Sequence, residues 1–165
     1  MKKKFYSLSI LAALMVFGAA VTSNYSVSAG PDNSGSSANG HGNYSEADGE
    51  LRTFSFHART KNGVTKGSFV VNNRSNGHFL KGNIDCLNIV GNTATMSGTI
   101  TSSSVEDLVP VGTKTRFGVV DNGEGSEAPP DRMSRFSNFS QASCDESPIM
   151  SHSLTVDGGN IQVKP

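Results

Sequence analysis

The sequence predicts an antiparallel all-β fold, either a β-sandwich or a small closed barrel of about seven or eight strands. Short runs alternate apolar with polar residues, and Gly, Asn, Ser and Thr interrupt these runs every few residues. No window shows the 3.6-residue period of an amphipathic helix. The chain has 165 residues, of which 18 are glycine and 35% are hydrophobic, so the length and composition fit one small β domain.

The first 29 residues have the layout of a secretory signal peptide. Lys2 to Lys4 form a basic start, an apolar run extends from Leu8 to Ala20, and Val27-Ser28-Ala29 places small residues before a cleavage site. The apolar run is shorter than the roughly 20 residues of a membrane-spanning helix. We therefore expect a secreted or periplasmic product without stable membrane insertion.

Residues 30–49 are rich in Gly, Ser, Asn and Asp and contain almost nothing apolar, which predicts a flexible linker before a single β domain at 50–165. Three of the 14 basic residues and none of the 14 acidic residues precede this linker. The mature chain thus carries 11 basic against 14 acidic groups, a net charge of −3. This balance is unlike that of proteins that bind nucleic acid or anionic membranes by charge.

The predicted strands follow one another with turn residues between most of them. Asn62-Gly63 predicts a two-residue hairpin turn, because both positions tolerate a positive φ, and Gly82 predicts a bulge inside a long strand. The predicted strands lie at 53–58, 68–72, 78–90, 93–101, 115–121, 151–156 and 160–163. The expected core consists of Phe54, Phe56, Phe69, Val71, Leu80, Ile84, Met96, Ile100, Phe117 and Val119.

The two cysteines predict one disulfide. Cys86 lies in a predicted strand and Cys144 in a polar loop, and paired thiols are the usual state in an exported protein. The bridge would close a loop of 58 residues (144 − 86) and stabilise the fold by about 4 kcal/mol on the chain-entropy model. A reactive thiol or a thiolate ligand is the alternative.

A loop rich in carboxylates is the candidate metal-binding or partner-binding site. Oxygen ligands on a loop suit calcium, although the spacing here differs from that of an EF-hand. In the structural alternative, an Asn-Gly turn leads into a solvated loop in which Arg132 or Arg135 pairs with Asp121 or Asp131. Catalysis by paired carboxylates is a third interpretation. The candidate residues are Asp121, Asn122, Glu124, Glu127, Asp131 and Arg132.

The histidines and the two late phenylalanines each allow a structural and a functional interpretation. Exposed positions are expected for the histidines, whereas a zinc or copper site would require folding to bring His57, His78 and His152 together. Phe136 and Phe139 either dock a loop onto the core or stack on a sugar or peptide. The chain contains no GxSxG, P-loop, GxGxxG or CxxC motif. The fourth histidine, His41, lies in the predicted linker.

Ordered segments of the β domain also carry a family resemblance. They are FSFHA (54–58), GSF (67–69), KGNIDCL (81–87), GNTA (91–94), VDNGE (120–124), PPDR (129–132), Cys144 and GNIQV (159–163). This set resembles small secreted bacterial proteins of the post-COAP domain type. The group has no established activity, so the resemblance implies no catalytic residues. It implies that Cys86 and Cys144 belong to one pattern and that the acidic loop is a regular feature.

Together these observations predict an exported, noncatalytic β-domain protein that acts in binding or in structure, at the cell envelope or in the medium. Its partner would be an extracellular ligand or protein rather than nucleic acid, with calcium as the candidate cofactor that orders the acidic loop. One alternative is a small-ligand carrier with a cavity inside a barrel. Another is a hydrolase that uses Asp121, Glu124 or Asp131 with a histidine.

Overall fold

The computed structural model describes residues 35–139, 143–144 and 153–165, which belong to the unit that spans residues 32–165. The predicted signal peptide and the first residues of the predicted linker lie outside the described residues. Every regular element in the described part is a β-strand, and all the strand pairs are antiparallel. The predicted antiparallel all-β class is therefore confirmed.

The strands form one curled sheet, a half-barrel with the core on its inner side. The order is β10-β1-β2-β3-β4-β5-β6-β7-β9, and β8 pairs with β6 beside this path. The more detailed prediction, a sandwich or closed barrel of seven or eight strands, is not confirmed. The strands are β1 (Ser37–Ser45), β2 (Leu51–Lys61), β3 (Val64–Asn73), β4 (Phe79–Val90), β5 (Thr93–Ser103), β6 (Lys114–Val120), β7 (Arg132–Ser134), β8 (Ser137–Phe139), β9 (Ser153–Thr155) and β10 (Gly158–Lys164).

Strand β1 lies inside the segment that was predicted to be a flexible linker, and that prediction is wrong for residues 37–45. The strand pairs with β2 on one side and with β10 on the other. Its inward positions hold Ala38, Gly40, Gly42 and Tyr44, so the alternation is present but is carried partly by glycine. The β domain accordingly begins before Glu50.

The inward glycines of β1 are explained by their neighbours on β2 and β10. A Cβ atom on Gly40 would lie 2.5 and 2.7 Å from two ring atoms of Phe56 and 3.0 Å from Cγ1 of Ile161. A Cβ atom on Gly42 would lie 2.3 Å from the carbonyl oxygen of Gly158 in β10 and 3.2 Å from a ring atom of Phe54. The absent side chains of β1 therefore give room to the Phe56 ring and to the backbone of β10, which keeps the core densely packed.

The hairpin turn and the bulge are both confirmed. Asn62 and Gly63 have φ values of 53° and 73°, as expected for the predicted two-residue turn between β2 and β3. The register between β4 and β5 shifts between Lys81 and Gly82 and again between Ile84 and Cys86. These irregularities help to curl the sheet around its core.

The expected core is buried apart from Leu80, which is half-buried. Phe136 also packs here, as one of its two interpretations predicts: its ring centroid lies 4.5 Å from that of Phe117 and 5.1 Å from that of Phe69. The side chain of Phe139 lies outside the described residues. The confirmed core residues are Phe54, Phe56, Phe69, Val71, Ile84, Met96, Ile100, Phe117 and Val119.

The predicted disulfide between Cys86 and Cys144 is present, with Cα atoms 5.9 Å apart. It places Cys144 on the outer side of the sheet, where Arg116 Nη1 also donates a hydrogen bond to the Ser143 carbonyl at 3.2 Å. Thr95 and Ser97 face this outer side and are each 1% exposed. The outer side of β5 and β6 is therefore covered, whereas the outer side of β10, β1, β2 and β3 is exposed.

The fit between glycine and phenylalanine predicts the effect of one added methyl group. Gly40→Ala should lower the free energy of unfolding by about 1–3 kcal/mol, because the Cβ atom overpacks the Phe56 ring. Asn39→Ala, the neighbouring outward position, should change it by less than about 0.5 kcal/mol. Urea denaturation followed by circular dichroism measures both. Equal effects at the two positions would contradict the packing described here.

Candidate functional site

The acidic loop between β6 and β7 is attached to the edge of the sheet by Asp131. This residue is 8% exposed. Its Oδ2 atom accepts the N–H of Ile161 in β10 at 2.7 Å, and its Oδ1 atom accepts the N–H of Asn122 at 2.9 Å. Because β10 pairs with β1 on its other side, the Asp131 carboxylate occupies the place of a neighbouring strand.

Asp121 makes the equivalent contact two residues further along β10. Its Oδ2 atom accepts the N–H of Val163 at 2.9 Å, and its Oδ1 atom accepts the N–H of Gly123 at 2.9 Å. We call the two carboxylates and the N–H groups of Ile161 and Val163 the seam. The seam joins the chain around β6 and β7 to the exposed edge of β10, so these carboxylates have a structural task.

The other predicted loop residues lie around the seam. Glu124 Oε1 accepts hydrogen bonds from Asn160 Nδ2 at 2.8 Å and from Gln162 Nε2 at 3.4 Å. Asn122 Nδ2 donates to the Pro130 carbonyl at 2.6 Å, and Glu127 is exposed. The loop therefore folds against β10, and the predicted solvated loop is correct only for its outer residues.

The expected pairing of an arginine with Asp121 or Asp131 is wrong. Arg132 Nη2 donates instead to the Ser153 carbonyl at 3.3 Å. Arg135 forms an ion pair with Glu46, in the loop between β1 and β2. Backbone N–H groups take the place that the prediction gave to guanidinium groups, because the edge strand β10 presents donors at this point.

The calcium prediction gains no support from the arrangement of the loop. All four carboxylate oxygens of Asp121 and Asp131 accept backbone hydrogen bonds. Within the described ranges, no group of three or more His, Cys, Asp or Glu side chains could hold a metal ion.

The described histidines lie apart from one another. His41 is on the outer side of β1 rather than in a linker, and His57 is on the outer side of β2, where its Nδ1 lies 3.3 Å from Ser68 Oγ. His78 lies opposite Asn73, which in turn lies opposite Arg52 of β2. Arg52 and His57 are five residues apart on β2, so His78 and His57 are separated by about 16 Å along the strand direction. His57 and His78 therefore cannot share a metal ion. His152 lies outside the described residues.

A charged cluster and a small cleft occupy one end of the half-barrel. Arg52 pairs with Glu50 at 2.8 Å and with Glu46 at 3.5 Å. Burial raises the pKa of the adjacent Tyr44 to about 12, and the charge of Arg52 opposes this shift. The cleft has a volume of about 240 Å³, and its apolar wall includes Leu80 and Leu108.

The exposed outer side of β10, β1, β2 and β3 is free of acidic residues. These four described strands contain no Asp or Glu. Exposed cations occur there at Arg59, Lys61, Lys66 and Lys164, although the mature chain has a net negative charge. We call the outward-facing residues of these four strands the acid-free face. Its borders carry Glu124 beyond β10 and Asp85 on β4, where Asp85 pairs with Lys114 at 3.2 Å.

The strand register arranges the acid-free face in rows. One row is cationic and contains Lys164, Ser37, Arg59 and Lys66, taken from β10 to β3. The next row, two residues along each strand, extends to β4 and contains Gln162, Asn39, His57, Ser68 and Asn83. A cationic row therefore lies beside a row of neutral hydrogen-bonding groups.

Two open grooves follow these rows and meet at His57. The first has a volume of about 440 Å³, and its lining includes Asn39, Arg59 and Lys164. The second has a volume of about 540 Å³, and its lining includes Ser68 and Asn83. The acid-free face therefore contains two shallow grooves that share His57.

Sequence reasoning did not identify the acid-free face. One signal was available, because the strand segments at 51–61 and 64–73 contain four Lys or Arg residues and no Asp or Glu. Strands β1 and β10 belong to the acid-free face only because of the strand order. That order could not be predicted while the segment of β1 was interpreted as a linker.

Comparison of the chain with protein-family models, with curated proteins and with solved structures yields no match. The resemblance to post-COAP domain proteins therefore stays a prediction. Among the described residues, no helix is long and apolar enough to cross a membrane.

The seam predicts a specific dependence on Asp131. Asp131→Asn keeps the side-chain shape but turns an NH₂ group toward a backbone N–H, so the free energy of unfolding should fall by about 1–3 kcal/mol. Glu127→Gln removes the same charge from an exposed position of the same loop and should change it by less than about 0.5 kcal/mol. Urea denaturation at neutral pH compares the two variants. A loss of similar size in both would show that charge, and not the seam, sets the stability.

Proposed function

We propose that the protein is an exported, noncatalytic β-domain protein that binds an anionic extracellular partner through the acid-free face. The observation that carries this proposal is the segregation of charge: four adjacent strands hold exposed cations and no carboxylate. Such a surface attracts and orients anions even on a chain of opposite net charge.

The cationic row offers two adjacent positive charges. Arg59 and Lys66 are directly opposite each other in the register of β2 and β3, so an anionic partner that reaches one of them is within reach of the other. Two carboxylates of the acidic loop are held in the seam, and Asp85 of β4 pairs with Lys114.

Export agrees with the rest of the structure. The disulfide between Cys86 and Cys144 is typical of oxidising compartments, and the sequence has a signal-peptide layout at its start. The proposed product therefore acts at the cell envelope or in the medium, where anionic polymers are available partners.

Carriage of a small ligand is a second candidate, favoured by one observation. The cleft at the end of the half-barrel combines an apolar wall with the Arg52 cluster, and Leu108 at its rim is 79% exposed. Its volume of about 240 Å³ is below the usual size of a ligand pocket, which starts near 300 Å³. The acid-free face is larger, so binding there is the favoured function.

The proposal predicts salt-sensitive binding of anionic polymers. The mature chain should bind at least one of polygalacturonate, poly-L-glutamate and polyphosphate, with an affinity that falls as sodium chloride increases. The double variant Arg59→Gln/Lys66→Gln should weaken this binding about tenfold or more, measured by isothermal titration calorimetry at low salt.

The control variant, Arg74→Gln/Arg132→Gln, removes two positive charges outside the acid-free face. It should bind the same polymer within about twofold of the unmodified chain. A greater loss in this variant would place the binding outside the acid-free face. The absence of binding to all three polymers would refute the proposed function.

A further inference from the structure

We propose that the anionic partner is a linear acidic polysaccharide, whose carboxylates meet the cationic row and whose hydroxyl groups meet the row beside it. This inference rests on the proposed function and adds the chemical class of the partner. The inference depends on the neutral side chains in the row next to the cationic row, because charge alone does not distinguish one polyanion from another.

The row beside the cations is suited to hydroxyl groups. Asn39 and Asn83 present amides with donor and acceptor atoms, and Gln162 adds a third amide whose Nε2 also donates to Glu124 Oε1 at 3.4 Å. His57 and Ser68, which contact each other, add groups that can donate or accept. A sugar hydroxyl group also donates and accepts hydrogen bonds, so it can pair with each of these side chains either as donor or as acceptor. Asn39 and Asn83 are both exposed.

The dimensions of the face suit an extended chain. Five strands spaced about 4.8 Å apart give the amide row a length of about 19 Å. The cationic row lies about 7 Å away, two residues along each strand. The two grooves share His57. A polymer that lies across the strands through both grooves would meet Arg59 and Lys164 in the first groove and Ser68 and Asn83 in the second.

Other polyanions fit the face less well. Single-stranded nucleic acids use aromatic side chains on which bases stack, and the outward positions of β10, β1, β2 and β3 hold no Phe, Tyr or Trp. Polyphosphate would use the cations but has no hydroxyl groups for the amide row. An acidic peptide would use the cations but typically requires pockets for its side chains.

The test compares polygalacturonate with poly-L-glutamate, single-stranded DNA and neutral dextran at the same salt concentration, by isothermal titration calorimetry. Polygalacturonate should bind about tenfold tighter than poly-L-glutamate of equal charge, single-stranded DNA should bind more weakly than polygalacturonate, and dextran should not bind measurably.

The variant Asn39→Ala/Asn83→Ala keeps the charge of the face and shortens two amides. It should weaken polygalacturonate binding about tenfold and leave poly-L-glutamate binding within about twofold. Asn88→Ala, an amide of β4 outside the rows, is the control and should bind both polymers as the unmodified chain does.

The outcomes separate this inference from the proposed function. Equal binding of both polymers, unaffected by Asn39→Ala/Asn83→Ala, would overturn the polysaccharide and leave the proposed anion-binding face in place. Tighter binding of single-stranded DNA than of polygalacturonate would also overturn the polysaccharide and leave the proposed anion-binding face in place. Failure of every polymer to bind would overturn both, and dextran binding as strong as that of polygalacturonate would overturn the requirement for negative charge.

Discussion

The hydrogen bonds from Ile161 and Val163 to the carboxylates of Asp131 and Asp121 are the constraint on which the architecture depends. An edge strand leaves a row of backbone donors without a strand partner, and such donors must be satisfied or exposed to water. Here two side chains from one loop satisfy them. The loop consequently closes one edge of the sheet, and the carboxylates of Asp121 and Asp131 are held by backbone hydrogen bonds.

This use of the carboxylates bears on the proposed site of binding. Thr95 and Ser97 on the outer side of β5 are buried near the disulfide, and the inner side of the sheet is filled by apolar side chains. Of the surfaces that the structure describes, the acid-free face is an extended and exposed one. Its charge differs in sign from that of the acidic loop, so under the proposed function a polyanion would be directed toward the strands and away from the seam.

Much of the strand pattern could be predicted from alternation, because Phe54, Phe56 and Ala58 occupy the three buried positions of β2. Strand β1 could not, because glycine at Gly40 and Gly42 is also typical of linkers. The reason for these glycines lies in the Phe56 ring of β2 and in the backbone of β10. The seam was unpredictable for a similar reason: Asp131 and Ile161 are 30 residues apart, and a carboxylate that accepts an edge N–H has no local sequence pattern.

The most direct test of the seam is the exchange rate of individual amide hydrogens, measured by nuclear magnetic resonance on the intact domain. If the carboxylates accept these donors, the amides of Ile161 and Val163 should be protected as strongly as the amide of Phe54 in the interior of the sheet. The account would be contradicted if both exchanged as rapidly as the amides of the exposed loop residues Glu124 to Glu127.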